Sequence, residues 1–162
     1  MKAALNVHED VAEQLEQHLQ NLLKKSRARY AMICDRQGFV MHFNSALWAD
    51  PPPSIDALAS LIVSTYAASD ALAKLLGEAN FSESIQQGKH IAAYTEYINE
   101  ELLLSTIFDG QGSLGQIKLL SHRTIKRITP LLENLKPLRF NLDKEWSQLT
   151  TLMLDHLFKD PQ

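Results

Sequence analysis

Residues 102–108 read Leu-Leu-Leu-Ser-Thr-Ile-Phe, an almost unbroken apolar run set between Asn99-Glu100 and Asp109-Gly110-Gln111-Gly112. Seven residues between turn signals is the length of a strand and far short of what a bilayer crossing needs. A strand that is apolar on both faces has to be covered on both faces, which places it at the centre of a sheet with further layers on either side. The rest of the chain must therefore supply neighbouring strands and the layers that cover them.

The elements before it fit that demand. Over residues 7–27 the apolar positions Val11, Leu15, Leu19, Leu22 and Leu23 recur at helical spacing. Lys24, Lys25, Arg27 and Arg29 close this segment, where cations complement the helix dipole; a nucleic-acid patch is the sharper alternative, but no basic or aromatic stripe extends it. Residues 30–34 form a short buried strand, Asp35-Arg36-Gln37-Gly38 a turn with Gly38 able to take positive φ, and residues 39–43 the returning strand of a hairpin. The loop over 44–53 carries three consecutive prolines, Pro51 to Pro53, which exclude helix interior and central strand. Trp48 lies just before them, either anchoring the loop on its own domain or facing a partner.

The strongest helix starts at Ser54, a good N-cap, and runs to Leu76, with Gly77 at the C′ position. Leu58, Ile62, Thr65, Leu72 and Leu76 are expected to pack on the sheet. Ser60, Ser64, Ala67 and Ala71 form a second, smooth row along which another backbone can approach closely. Alanine is also simply the best helix former, but serine is not, so the row reads as a packing surface. Residues 81–87 have weak strand character, and residues 90–98 alternate as a better strand rich in Tyr and Thr. A last helical region over 114–135 is expected to be interrupted at Pro130. Residues 1–136 read as one domain. Residues 137–162 read as a linker followed by a short amphipathic helix whose face is Trp146, Leu149, Met153 and Leu157; that face can dock on its own domain or in a partner's groove.

Composition narrows the function classes. The chain has 162 residues, 45% of them apolar, with a net charge of −3. That size buries about two thirds of the unfolded surface, and the charge gives no bulk attraction to nucleic acid or anionic membrane. Charge at Glu9 and Asp10 interrupts the N-terminal segment before a hydrophobic export signal develops, and a single cysteine, Cys34, excludes an internal disulfide framework. Nucleic-acid binding and membrane insertion are not expected, and a cytoplasmic location is. The six histidines have no metal-ligand spacing. Cys34 sits in an apolar strand, where a thiol behaves as a small hydrophobe. Gly110-Gln111-Gly112-Ser113-Leu114-Gly115 lacks the Gly-Lys-Ser/Thr ending of a phosphate loop. No catalytic residue, cofactor or metal is expected, and the chain does not read as an enzyme.

The order of elements, together with residues 30–38, Asp56-Ala57-Leu58-Ala59-Ser60-Leu61, residues 72–78, Phe81, Gln87-Gly88-Lys89, residues 103–109 and residues 113–119, resembles the Roadblock/dynein-light-chain superfamily, in particular its bacterial MglB-type branch. The likeness covers nearly all of residues 7–136, and residues 152–158 are similar to the C-terminal helix of that branch. The resemblance implies an α/β, three-layer α-β-α sandwich of order αββαβββα with a five-stranded antiparallel sheet. It further implies a homodimer that binds a small Ras-like GTPase of the MglA type in its GTP form and accelerates hydrolysis by remodelling the GTPase, in cell polarity and motility. Ser60, Ser64, Ala67 and Ala71 would face the GTPase, and Trp146, Leu149, Met153 and Leu157 would form the tail helix that can dock on it. The alternatives are a non-activating adaptor or scaffold of the same fold, or a small-molecule sensor domain.

Overall fold

The computed structural model describes residues 2–133, with side chains from Glu9 onward. The chain divides into two compact units, Met1–Thr129 and Pro130–Gln162. Trp146, Leu149, Met153 and Leu157 lie outside the described residues. The described elements are α1 (Lys2–Ser26), β1 (Tyr30–Asp35), β2 (Val40–Ser45), α2 (Ile55–Leu75), β3 (Glu83–Gln87), β4 (Ile91–Tyr97), β5 (Leu102–Asp109) and α3 (Leu114–Glu133). All five strands are antiparallel neighbours in the order β2-β1-β5-β4-β3.

The apolar run is thus the central strand. Seven of the eight β5 residues are buried, as are all six of β1 beside it. Alternation divides their side chains between two layers. On one face Tyr30, Met32, Cys34, Leu103 and Ile107 pack with Ala59, Ile62, Val63 and Tyr66 of α2. The opposite face meets the other two helices. Ser121 of α3 shares a hydrogen bond with buried Thr106 of β5 at 3.2 Å, and the Gln116 amide of α3 donates to the Lys25 carbonyl of α1 at 3.1 Å. The two hydroxyls of β5 are each paired, Thr106 with Ser121 and Ser105 with Thr95 at 3.0 Å, so the polar pair inside the apolar run is satisfied on both faces.

Local chemistry sets the connections. The Asp35 carboxylate accepts from the backbone N–H groups of Gln37 and Phe39, both at 2.9 Å, and Gly38 takes φ +90°, which closes the β1–β2 turn. One extra residue in β2, Met41, is accommodated where the register shifts between Ile33 and Cys34. At the start of α2 the Ser54 hydroxyl accepts from Ala57 N–H at 3.2 Å. At its end Gly77, at φ +87°, donates to Lys74 O and Glu78 donates to Ala73 O, the paired bonds of a Schellman motif.

Two expectations need correction. Thr65, Leu72 and Leu76 are exposed; α2 instead buries Ala59, Ile62, Val63, Tyr66, Asp70 and Ala73. Apolar residues surround this helix on nearly every side, so periodicity alone does not choose its inner face. For the same reason α2, unlike the short apolar runs of the strands, is long and apolar enough to cross a membrane by length and composition; here its inner face packs on the sheet. Pro130 does not interrupt α3, which continues to Glu133. Proline removes one backbone bond to the carbonyl of Lys126, and both residues lie on an exposed side that water can reach. The basic residues at the end of α1 fall partly as expected. Lys24 and Lys25 end α1, Arg27 sits beyond it, and Arg29 pairs with Asp109 at 2.6 Å.

Arg27 occupies the left-handed region at φ +56°, a conformation that costs a side-chain-bearing residue about 1 kcal/mol. Arg27→Gly removes that strain, partly offset by the greater freedom of glycine in the unfolded chain, and should raise the unfolding free energy by at most about 0.5 kcal/mol, read from urea denaturation midpoints at constant slope. Cys34 is fully buried, and burial, reinforced by Asp35, pushes its thiol up to about 11. The folded protein should leave Cys34 unreactive toward Ellman's reagent from pH 6 to 9, with one thiol released on unfolding.

Candidate functional site

Two surfaces meet on α2. The outer one is built from its exposed side. Ser60, Ser64, Ala67 and Ala71 are all solvent-exposed, as the sequence pattern anticipates. The Ser64 hydroxyl donates to Ser60 O and the Thr65 hydroxyl to Leu61 O, both at 2.8 Å. With their hydroxyls folded back on the helix, these residues present little polarity outward. Leu61, Leu72, Leu75 and Leu76 flank them, with Leu75 84% exposed. A contiguous apolar face of this kind marks an interaction surface. One end of the small-residue row is already in use: a side chain at Gly38 would come within 3.3 Å of Ser60, so the β1–β2 turn closes directly onto that serine. The row is therefore free chiefly at Ser64, Ala67 and Ala71.

The second surface lies on the inner side of α2. Asp70 is 5% exposed, and its Oδ2 accepts from the Arg36 guanidinium at 2.6 Å and from the Tyr97 hydroxyl. Arg36 also donates to the Tyr97 oxygen at 2.9 Å, and its guanidinium carbon lies 5.4 Å from that ring's centre. Burial, then the hydrogen bond to Asp70, pushes the Tyr97 phenol up to about 12, so it remains a donor at neutral pH. Tyr97 in turn meets the Tyr66 ring edge-on at 4.7 Å, and Tyr66 donates to Phe81 O at 3.0 Å. The cluster opens into a cleft of about 370 Å³ lined by Arg36, Asp70, Lys74, Tyr97, Asn99 and Glu100, among others. Cation and carboxylate are matched there in number, so the cleft has no net charge to select a ligand by sign.

Sequence reasoning missed this cluster. An aspartate inside a largely apolar helix was its available signal, but only the fold shows that Arg36 in the first hairpin and Tyr97 at the end of β4 converge on it. Trp48 is 55% exposed and stacks under Arg29 at 5.3 Å. The proline loop is pinned instead by the Tyr30 hydroxyl, which donates to Asp50 O, and by Ala49 against the core. The glycines after β5 form a tight turn, with Gly112 N–H donating to Asp109 O at 2.7 Å. Among the described residues, no three His, Cys, Asp or Glu side chains converge as metal ligands would.

This arrangement of helices on a five-stranded antiparallel sheet defines a Roadblock-type α/β sandwich. A Roadblock/LC7 domain from Streptomyces avermitilis shares the fold at a TM-score of 0.66 and 12% identity, over 73% of this chain and 97% of that one. No protein-family model and no curated protein matches the chain. Among solved structures, an MglB with a tetrameric arrangement is 40% identical over 76% of this chain and 91% of its own, at a TM-score of 0.73. The gliding protein MglB of Thermus thermophilus matches at the same identity and TM-score, over 92% of its length. Myxococcus xanthus MglB is 25% identical over 75% of this chain and 97% of that one, at a TM-score of 0.68. The chain belongs to the MglB branch of the Roadblock family.

The inner cluster responds unequally to loss of its two charges. Arg36→Met leaves a buried carboxylate without its cation and should cost about 2 kcal/mol. Asp70→Leu leaves a half-exposed arginine that solvent can reach and should cost less. Thermal unfolding of the two variants should rank them in that order.

Proposed function

We propose that this chain is a homodimeric regulator of a small Ras-like GTPase of the MglA type, in cell polarity or gliding motility, and that it accelerates GTP hydrolysis without a catalytic residue of its own. The observation that carries the reading is the exposed apolar face of α2 in a chain 40% identical to MglB proteins. A row of small residues flanked by leucines suits close contact with another protein's backbone and apolar side chains, and offers no nucleophile, base or charge for chemistry. Regulation from such a surface acts through differential affinity: whichever GTPase conformation fits α2 better is the one whose population rises. Acceleration then means that the favoured conformation places the GTPase's own charge-stabilising groups correctly around the phosphates.

Dimer formation is supported by the sheet edges. Among the described residues β3 pairs only with β4, so its outer main-chain groups are open to a further strand. Ile85 and Ile91, on β3 and β4, are large apolar side chains left exposed. The tail face of Trp146, Leu149, Met153 and Leu157 belongs to the same proposal as a second contact with the GTPase. A cytoplasmic location follows from the partner proposed.

The deciding experiment measures GTP hydrolysis by the organism's own MglA-type GTPase with and without the purified chain, alongside binding to its GDP- and GTP-analogue-loaded forms. Acceleration with GTP-selective binding is expected. Selective binding without acceleration would make the chain an adaptor, and binding to neither form would reject the GTPase reading. Ala67→Arg sets a long cation into the small-residue row and should reduce binding at least a hundredfold, roughly 3 kcal/mol in binding terms, with unchanged circular dichroism and melting temperature. Normal binding by that variant would remove α2 from the interface.

A further inference from the structure

The two halves of α2 are held by different chemistry. Its N-terminal half buries Ala59, Ile62 and Val63 against the apolar core. Its C-terminal half, which carries the exposed Ala67 and Ala71, buries Tyr66, Asp70 and Ala73 and no aliphatic side chain larger than alanine. That half is fastened by direction-dependent bonds: Asp70 to Arg36 and Tyr97, with the Tyr66 ring standing edge-on against Tyr97. Apolar packing tolerates a small roll of a helix about its axis, whereas a carboxylate shared by two donors does not. The remaining Asp70 oxygen, Oδ1, is buried without a protein partner, so the carboxylate is held from one side only.

Resting on the reading of α2 as the partner face, we propose that Asp70 is a positioning residue: with Arg36 and Tyr97 it sets the rotation of the C-terminal half of α2, and so the presentation of Ala67 and Ala71 to the GTPase. Asp70 touches no partner itself. Its effect passes through the helix: Ala67, three residues before it, lies on the adjoining, exposed flank, and Ala71 is the next residue along the backbone. Arg36 links the same lock to the β1–β2 turn, whose Gly38 abuts Ser60, so the hairpin contacts α2 at Ser60 and again at Asp70.

A role in stability alone and a role in positioning separate when the ion pair is replaced by apolar groups of similar volume. Arg36→Met with Asp70→Leu removes both charges together, an exchange that is often neutral for stability, but it supplies no directional bond. Binding to the GTP-analogue-loaded MglA-type GTPase should weaken roughly tenfold in this double variant, within the range of coupling carried by residues outside the contact, while its melting temperature stays near that of the parent. Asp70→Asn keeps an acceptor for Arg36 and Tyr97 and should retain affinity within about threefold. Tyr97→Phe, a milder change that removes only the hydroxyl, serves if the double variant does not fold; it should weaken binding by roughly threefold. A folded double variant binding as tightly as the parent would overturn the proposal, as would unaltered binding by Tyr97→Phe if the double variant fails to fold. Failure of the underlying reading is distinct: there Ala67→Arg would bind normally, whatever the lock variants do.

Discussion

Everything in this domain follows from burying β5 on both faces. A strand whose Leu102, Leu103 and Leu104 are all buried cannot sit at an edge and cannot face water, so helices have to lie above and below it. β1 and β4 flank it, and only then do β2 and β3 become edges. The position of α2 is a consequence. It closes the face that holds Met32, Leu103 and Ile107, and its other side is left to solvent. In this way a packing requirement at the centre of the sheet creates the surface on which function is read.

That surface has an unusual composition because α2 answers two demands at once. Its inner side must be apolar to cover the sheet, and its outer side is apolar and small as well. A helix with no strongly polar side lacks the usual signal that tells inside from outside. Here a charge adds its own constraint to the apolar contacts of Ala59, Ile62 and Val63. Asp70 has its partners, Arg36 and Tyr97, only on the sheet side, and turning it outward would leave a half-exposed arginine and a partly buried phenol without their acceptor. A buried ion pair adds little net stability, but it discriminates between arrangements that apolar packing leaves nearly equal in energy.

Strand order apart, most of this architecture was legible in the residues. Most described elements fall within two residues of where turn chemistry and periodicity put them, because Ser54, Gly77, Gly38 and the 109–112 turn are local signals whose meaning does not depend on the fold; α1 starts earlier, at Lys2. The small-residue row was legible for the same reason, since four positions on one helix side need no tertiary knowledge. What was not legible was long-range. Leu72 and Leu76 read as core because leucine usually is, yet they face solvent, and Asp70 took their place inside. Pro130 read as a break because proline breaks a helix in isolation, but its one lost bond falls on an accessible side of α3. Each miss concerns a residue whose role is set by a partner far away along the chain, or by which face happens to meet water.

The same reasoning bears on how the proposed regulator would act through its surface and respond to distant substitutions. A surface made of alanine and serine has almost no specific bonds to offer, so the proposed discrimination between GTPase conformations would rest on shape. Shape on a helix depends on how that helix is turned and seated. In α2 the N-terminal half is seated by interchangeable apolar contacts, and the C-terminal half by a few bonds with fixed geometry. Differences in fit between conformations of a partner amount to small displacements, which a soft apolar seat would absorb and a hydrogen-bonded one resists. On the proposed reading, the selectivity of the outer face would be set on the inner one, where Asp70, Arg36 and Tyr97 meet.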